Sequence, residues 1–399
     1  MGGNASRDYA GPVTTEILRS PLHDEHVALG ATLVDFAGWE MPVRYTGDIA
    51  EHTAVRTAAG LFDLSHMGEI SVRGAEAEAF LDDALVGRMS AMRLWGAKYT
   101  MLCAADGGVI DDLIVYRRDW DHFVIVANAS NKDVVAGELT DRAEGFDAEV
   151  EDISAQVALI AVQGPRAQAI VSRMTARGAD DIEAMKYYSA ANVMLAGGIH
   201  AFAARTGYTG EDGFELFVGA DEAAAVWQLA LAEGAADGLI PCGLSSRDTL
   251  RLEAGMPLYG NELSRDRTPF EAGLGRVIVF GTEKNPRGDF VGRAALEAVR
   301  ETWATAETDP AVASSLSTLV GLVGDGRRAA RAGYAVVDEA GEPVGAITSG
   351  APSPTLGKPI AMAYVPLALA TPGTEVAIDV RGRRETMTVT ALPFYKRGA

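Results

Sequence analysis

Apolar and polar positions alternate with two different periods between residue 18 and about residue 283. Apolar side chains at every second position predict strands, as in "GEISVRG", whereas the helical spacing of apolar side chains in "AEAEAFLDDAL" predicts a helix. "KYTMLC" and "VIDDLIVYR" predict a hairpin, because a glycine-containing turn separates them. Such a succession is typical of an α+β fold in which neighbouring strands are mostly antiparallel.

A second stretch of the same kind follows, and its "IHAFAARTGYTGEDGFELFV" predicts another hairpin, with a Gly-rich acidic connection. After about residue 284 the pattern changes to short strands between Gly and Pro turns, for example "PVGAITSG" and "KPIAMAYV". This change predicts a small antiparallel β-barrel as a separate domain, residues 284–399. The chain before residue 18 is rich in Gly, Ser, Asn and Pro without a sustained period, so residues 1–17 are predicted to be a flexible tail.

Charge and hydropathy restrict the class of partner. The 399-residue chain has a formal net charge of −20, which disfavours nucleic acid as a partner. No apolar run reaches the length of a membrane span and no secretory signal is present, so we expect a cytoplasmic protein without a membrane partner. Cys103 and Cys242 lie far apart and in no metal-ligand spacing, so no metal site is predicted.

Two aspartates stand inside one predicted strand, "GGVIDDLIVYRR" from Gly107 to Arg118. Successive side chains of a strand point to opposite faces, so Asp111 and Asp112 must point in opposite directions, each among apolar neighbours. A buried carboxylate without a partner costs several kcal/mol. Each aspartate therefore needs a hydrogen-bond donor, a counter-charge or a ligand.

Two further stretches combine Gly, aromatic and charged residues. "RTGYTGEDGFE" places Tyr208 in a glycine-flanked turn and Glu215 on the next strand, where its carboxylate can accept from a donor-rich heterocycle; a hydrated, solvent-facing hairpin explains this stretch equally well. In "GLSSRDTLRLEAG", Arg247 near a helix start opposes the helix dipole and should have a partner or a ligand. Asp248 can pair with Arg251, and a structural ion pair is the alternative interpretation of this helix.

Eight motifs in a fixed order resemble the glycine cleavage T-proteins, the aminomethyltransferase family. The resemblance covers the chain from about residue 20 to its end. The motifs are "HVALGATLVDFAGWEMPVRY", "GLFDLSHMGEI", "GGVIDDLIVYR", "ALIAVQGP", "RTGYTGEDGFEL", "PCGLSSRDTLRLEAGMPLYG", "TPFEAGLG" and "ITSGAPSPTLGKPIAMAYV".

The resemblance implies a three-domain cloverleaf: two α+β domains within residues 18–283 exchange segments around a tetrahydrofolate channel, and the C-terminal β-barrel is the third domain. It also implies the reaction. The methylene carbon of the aminomethyl group on the dihydrolipoyl arm of the lipoylated H-protein passes to tetrahydrofolate as co-substrate, giving 5,10-methylenetetrahydrofolate and ammonia. No metal is implied, because the folate nitrogen is itself the nucleophile.

The resemblance further implies roles for individual residues. Asp112 matches the catalytic carboxylate beside the reactive folate nitrogens, and Asp111 is then expected to make structural hydrogen bonds behind it. The residues that match folate-binding positions, including two in the C-terminal tail, are Glu215, Arg247, Tyr208, Tyr188, Tyr116, Tyr99, Met67, Asn128, Tyr395 and Arg397.

Some positions depart from the family pattern. Ser246 stands where alanine is usual, and Arg276 stands where an aromatic residue is frequent, which can alter a channel wall. Alternative functions with a related folate pocket are a demethylase of another small substrate and a non-catalytic protein of iron–sulfur cluster assembly. The second of these carries a "KGCYxGQE"-type stretch, whereas Cys242 stands here in "IPCGLSS".

Overall fold

The computed structural model describes residues 17–326 and 328–398. All but the last residue of the predicted tail, 1–17, lie outside the described residues. The strands of the first two thirds are, in chain order, β1 (Leu18–Arg19), β2 (Thr32–Phe36), β3 (Trp39–Arg44), β4 (Ala59–Asp63), β5 (Gly68–Arg73), β6 (Ala97–Cys103), β7 (Val109–Asp119), β8 (His122–Ala127), β9 (Glu149–Asp152), β10 (Val157–Gln163), β11 (Thr175–Arg177), β12 (Ala190–Leu195), β13 (His200–Ala204), β14 (Gly213–Gly219) and β15 (Leu239–Pro241).

The remaining strands belong to the C-terminal third, and the α-helices named below precede them. None of the helices in the described part of the chain is long and apolar enough to cross a membrane. The strands are β16 (Ser317–Gly324), β17 (Ala335–Val337), β18 (Pro343–Pro352), β19 (Pro359–Pro366), β20 (Glu375–Asp379) and β21 (Arg384–Thr390). The helices are α1 (His23–Ala28), α2 (Asp48–Thr57), α3 (Ala77–Ala84), α4 (Lys132–Arg142), α5 (Ala167–Met174), α6 (Ala179–Ala184), α7 (Ala223–Gly234), α8 (Leu244–Glu253), α9 (Arg293–Ala306) and α10 (Pro310–Ser315).

Two sheets of the α+β region are interleaved along the chain. One has five strands in the order β6, β7, β8, β5, β9, and the other has seven in the order β11, β12, β13, β14, β10, β4, β15. Because β4 precedes every strand of the five-stranded sheet and β10 follows them all, the chain leaves the seven-stranded sheet and returns to it. A three-stranded sheet, in the order β1, β3, β2, is added at the N-terminal side. The predicted exchange of segments between two α+β domains is confirmed.

The two-residue period decides what faces the space between these sheets. On β7, Leu113 and Val115 belong to the core beneath α3 and α4, while Tyr116 belongs to the apolar cluster that both sheets share. On β14, Phe217 points into the same shared cluster. Glu215, two residues before it on the same strand face, must therefore point between the sheets as well.

The C-terminal strands form a closed barrel in the order β16, β19, β18, β17, β20, β21, as predicted. The preceding residues, 284–316, which were assigned to the barrel domain, contribute α9 and α10 rather than barrel strands. Leu296 of α9 packs in a cluster with Met101 and Val109 of the five-stranded sheet. This stretch therefore contacts the first sheet, and the barrel wall begins at Ser317.

A buried carboxylate, Glu253 at the end of α8, joins the barrel to the α+β region. Its Oε1 accepts from the Ser353 hydroxyl (2.5 Å) and the Thr355 N–H (3.1 Å). Its Oε2 accepts from the Thr355 hydroxyl (2.7 Å) and Arg56 Nη2 (2.8 Å), and lies 3.1 Å from His52 Nε2. Burial raises the pKa of Glu253, but the hydrogen bonds from His52 and the barrel hydroxyls outweigh it and lower the pKa to about 2.

Glu253→Gln should destabilise the protein by about 1–3 kcal/mol, because an amide cannot accept all the hydrogen bonds that Arg56, Ser353 and Thr355 donate, although Arg56 keeps its ion pair with Glu211. The free energy of unfolding in urea measures the loss. Asp325→Asn is the control: its ion pair with Lys358 is solvent-exposed, so the unfolding midpoint should not move. Since the folded-state pKa lies below the ordinary 4.5, the contribution of Glu253 is present above 4.5 and is lost as the pH falls through about 2. Equal losses in the two variants would contradict this assignment.

Candidate functional site

The carboxylate of Glu215 is held from one side only. Its Oε2 accepts from the hydroxyls of Tyr116 (3.1 Å) and Thr206 (2.5 Å). The same two hydroxyls lie 3.0 Å apart, so they form a closed triangle with the carboxylate oxygen. Among the described residues no donor reaches Oε1, which leaves this oxygen able to accept from a ligand.

Arg247 lies on α8 opposite this carboxylate. Its guanidinium carbon is 4.9 Å from the centre of the Tyr208 ring, whose hydroxyl donates to the carbonyl of Pro257. Its Nη1 is buried and lacks a hydrogen-bond partner within the described chain. Burial lowers the pKa of Arg247, while the charge of Glu215 acts in the opposite direction. The partner expected for Arg247 is therefore an aromatic ring, and one donor remains open.

The loop before Glu215 is fixed by a close approach of backbone and side chain. A Cβ on Gly207 would lie 2.0 Å from Oε1 of buried Gln163, so this position requires glycine. Gln163 Nε2 donates to the Thr206 carbonyl (3.1 Å), and its Oε1 accepts from the Thr209 hydroxyl (3.0 Å). The loop is thus packed against β10, and the interpretation of Glu215 as part of a hydrated hairpin is wrong.

One asparagine bridges the two aspartates of β7. The Nδ2 of Asn128 donates to Oδ1 of Asp111 (2.8 Å) and to Oδ1 of Asp112 (2.9 Å), and its backbone N–H donates to Oδ2 of Asp111 (3.0 Å). The hydroxyl of Tyr99 donates to Oδ2 of Asp112 (3.0 Å). The end of β8 thus brings a single amide within reach of both carboxylates.

The environment of the pair favours protonation. Burial, followed by the charge of Asp112, raises the pKa of Asp111 to about 8. Burial also raises the pKa of Asp112 to about 6, although the hydrogen bonds from Tyr99 and Asn128 lower it and the charge of Glu262 adds to the increase. Neither aspartate forms an ion pair with a lysine or arginine of the described residues. The pair therefore binds protons at a pH where exposed aspartates are ionised.

Tyr188 connects the two sheets through its backbone. Its φ of 61° lies in the left-handed region, which is uncommon for a residue other than glycine. Its N–H donates to the Arg205 carbonyl, and its carbonyl accepts from the Ala97 N–H, both at 3.0 Å. The Tyr188 ring stands edge-on to Tyr187 at 4.9 Å. Burial raises the pKa of Tyr188, and the charges of Tyr187 and Glu215 raise it further. Tyr188 thus lies close to Glu215.

The other predicted residues lie at the shared apolar cluster and in the C-terminal tail. Met67 packs against the cluster shared by the two sheets. The C-terminal tail folds back onto the α+β region: the ring of Tyr395 lies 4.0 Å from the Arg56 guanidinium carbon, and Arg397 Nη1 lies 3.6 Å from Asp212. Arg397 therefore contacts the loop before Glu215, whereas Tyr395 packs on Arg56 of α2.

Two residues that lie in the site are not predicted from the sequence, Thr206 and Glu262. Thr206 stands in a quoted motif, but its role depends on meeting Tyr116 of the other sheet. Glu262 is fully buried, pairs with Arg251 (2.8 Å), and acts on Asp112 through its charge. No local pattern marks Glu262, because the contact depends on the path of the loop between α8 and α9.

The two departures from the family pattern have different positions. The hydroxyl of Ser246 donates to the Gly243 carbonyl (2.8 Å) within its own helix, so it is satisfied locally and leaves Arg247 free to face Tyr208. Arg276 is exposed. Asp248 accepts from Arg251 Nε at 2.9 Å, and the predicted ion pair is confirmed.

Two α+β sheets that share an apolar cluster, a β-barrel joined to them through a buried carboxylate, and a group of tyrosines around Glu215 and Arg247 are the features of a GCVT-type protein. Family models agree with this class. The model of the GCVT N-terminal domain matches residues 22–282, and that of the glycine cleavage T-protein C-terminal barrel domain matches residues 318–396. The chain belongs to the glycine cleavage T-protein family.

The individual relatives that match the chain over nearly its full length are aminomethyltransferases. An aminomethyltransferase of Streptomyces coelicolor is 56% identical over 96% of this chain and 99% of its own length. An aminomethyltransferase of Bacillus cereus is 42% identical over 95% of this chain and 98% of its own. The crystal structure of the glycine cleavage system aminomethyltransferase T from Bartonella henselae aligns with a TM-score of 0.83 at 33% identity, covering 95% of this chain and 98% of that one.

Asp111→Asn should gain stability relative to the unmodified protein as the pH rises. The raised pKa means that the folded state keeps a proton that the unfolded state releases above 3.8, so this stabilisation is full below 3.8 and is lost as the pH rises through about 8. Free energies of unfolding from urea titrations at about pH 5 and about pH 8.5 measure the difference. Asp119→Asn, at the exposed end of the same strand, should show no such pH dependence; a parallel response of the two variants would refute the burial effect.

Proposed function

We propose that the chain catalyses the aminomethyltransferase step of glycine cleavage. It transfers the methylene carbon of the aminomethyl group on the dihydrolipoyl arm of the H-protein to tetrahydrofolate, giving 5,10-methylenetetrahydrofolate, ammonia and dihydrolipoyl H-protein. The observation that carries this function is the full-length similarity to aminomethyltransferases, up to 56% identity over 96% of the chain. The H-protein as partner follows from the same similarity, and the cytoplasmic location stays a prediction.

The open groups between the sheets suit the pterin edge of a folate. Oε1 of Glu215 can accept from ring amino and N–H groups, and Nη1 of Arg247, which is buried and has no partner among the described residues, can donate to a ring carbonyl or nitrogen. An aromatic wall suits a flat heterocycle because ring faces stack favourably. The proposed wall consists of Tyr99, Tyr116, Tyr188 and Tyr208 with Met67 and Asn128; Tyr395 and Arg397 are proposed to contact the folate from the rim.

Asp112 is the proposed catalytic residue. Tetrahydrofolate supplies the nucleophilic nitrogen, so the proposed mechanism needs no metal. Tyr99 and Asn128 hold one carboxylate oxygen of Asp112 each, so its orientation is set before any substrate arrives. A carboxylate in this position can polarise a folate N–H and support positive charge on the carbon in transfer.

Purified protein mixed with aminomethylated H-protein and tetrahydrofolate should release ammonia in amounts equal to the methylene carbon transferred. Ammonia is measured with an enzyme-coupled assay, and 5,10-methylenetetrahydrofolate is measured by mass spectrometry. Reactions without tetrahydrofolate give the background. If tetrahydrofolate causes no increase in ammonia release, the proposed function is wrong.

Glu215→Gln and Arg247→Lys should each weaken tetrahydrofolate binding by about 10–150-fold, since a hydrogen bond to a charged group contributes about 1.5–3 kcal/mol. Isothermal titration calorimetry measures the dissociation constant. Glu149→Gln, on an exposed edge strand, is the matched control. An unchanged affinity in both site variants would exclude Glu215 and Arg247 as folate ligands.

Asp112→Asn should keep folate affinity within roughly tenfold, about 1.4 kcal/mol, yet lower turnover much more, because the amide retains shape but cannot accept a proton. Asp111→Asn should lower turnover much less. Calorimetry and single-turnover ammonia release separate the two effects. Equal losses of turnover at both positions would refute the division of roles between the aspartates.

A further inference from the structure

We propose that Asp111 and Asp112 act as one carboxyl pair that shares a single proton, with Asp111 as the positioning residue that stores it. The inference rests on the proposed function, because it explains where protons go during one-carbon transfer. It assigns a role to Asp111, which the resemblance left as a structural residue.

The geometry of the pair carries the proposal. Nδ2 of Asn128 lies within 2.9 Å of Oδ1 of both aspartates, so its two N–H bonds are used to hold the two carboxyl groups next to each other. The Asn128 backbone N–H occupies the second oxygen of Asp111 and the Tyr99 hydroxyl occupies the second oxygen of Asp112. All of these donors are neutral. Two carboxylates that share one amide and lack a cation cannot both be ionised without a large cost.

The groups that face the pair from neighbouring elements add no compensating charge. Tyr99 on β6 and Tyr208 before β14 contribute neutral hydroxyls on the Asp112 side. The loop between α8 and α9 contributes Tyr259 and Glu262; the charge of Glu262 disfavours ionisation of Asp112, and Arg251 is the salt-bridge partner of Glu262.

Asn131, the other amide close to the pair, donates to the carbonyl of Ile110 at 2.5 Å. Arg265 affects the pKa of Tyr259 and does not form an ion pair with either aspartate within the described residues. The pair is therefore surrounded by neutral donors and one further carboxylate, which favours a single negative charge shared between two carboxyl groups.

The proton balance of the reaction requires both a proton acceptor and a proton donor. The C–S and C–N bonds of the –S–CH₂–NH₂ donor break, and bonds form from the carbon to N5 and N10 of tetrahydrofolate. N5–H and N10–H lose two protons, and the departing nitrogen and sulfur gain two as ammonia and thiol. No electron is gained or lost overall. A pair that holds one proton can donate it to a leaving group and accept its replacement from a folate nitrogen, ending in its initial state.

The raised pKa values of the two aspartates agree with this proton count. With Asp111 at about 8 and Asp112 at about 6, the pair carries one proton near neutral pH. Because interacting carboxyl groups titrate as a unit, the two deprotonation steps are properties of the pair and not of either aspartate alone.

Infrared spectroscopy of the substrate-free protein tests the stored proton without measuring turnover. The unmodified protein should show a carboxylic-acid C=O band at neutral pH that disappears as the pH rises past about 8, and Asp111→Asn should lack it. Glu69 is the internal control. It is fully buried, its oxygens lack described hydrogen-bond donors, and burial raises its pKa well above the usual value. Glu69→Gln should remove a separate band and leave the one assigned to the pair.

The pH dependence of single-turnover transfer is the second measurement. The unmodified protein and Glu69→Gln should lose rate as the pH rises through about 8, where the shared proton leaves. Asp111→Asn should retain part of the rate but lack this alkaline decline, which a merely structural role would not remove. An infrared band or an alkaline decline that survives in Asp111→Asn overturns the proposal. Absent ammonia release in the unmodified protein would instead contradict the proposed function, and the infrared result would still decide the proton's location.

Discussion

The packing of two β-sheets face to face, with polar side chains caught between them, is the constraint on which this structure depends. Apolar residues such as Phe202 and Phe217 fill most of the shared space, and they exclude water from it. Every carboxyl group that points into this space must then be satisfied by the opposite sheet or by a loop. Glu215 on one sheet and Tyr116 on the other meet for this reason. Oε1 of Glu215 and Nη1 of Arg247 have no hydrogen-bond partner within the described chain, so both can bind a ligand.

The same principle separates the carboxylates into two kinds. Glu253 accepts hydrogen bonds from the Arg56 guanidinium and from barrel hydroxyls such as that of Ser353, so it stays ionised and joins the barrel to α8. Asp111 and Asp112 receive hydrogen bonds only from neutral groups, so burial is not offset and protonation is favoured. A charged, fully bonded carboxylate is suited to joining domains, whereas a carboxyl pair with a shared proton is suited to proton transfer. The donors around each carboxylate determine this difference, not the identity of the acid.

The fold was predictable where a local pattern carries its own physical reason. The alternating segments identified the antiparallel hairpins, and the sequence between residues 318 and 390 identified the barrel strands by their Gly and Pro turns. Leu296 shows where this reasoning stops, because a helix in the stretch assigned to the barrel domain packs on the first sheet instead. Helix α9 has a helical apolar spacing, yet nothing in that spacing states which of two domains it will cover.

By itself, the sequence determined that two aspartates interrupt an apolar strand and each need a partner, that Glu215 follows a tight glycine turn, and that Arg247 needs a partner near a helix start. These conclusions follow from the two-residue period of a strand and from the helix dipole, which act over a few residues. Tertiary structure alone decided that Asn128 bridges both aspartates and that Glu262 faces Asp112. Such contacts join residues far apart in the chain, and their distances depend on how two sheets and one long loop are packed, which no local period encodes.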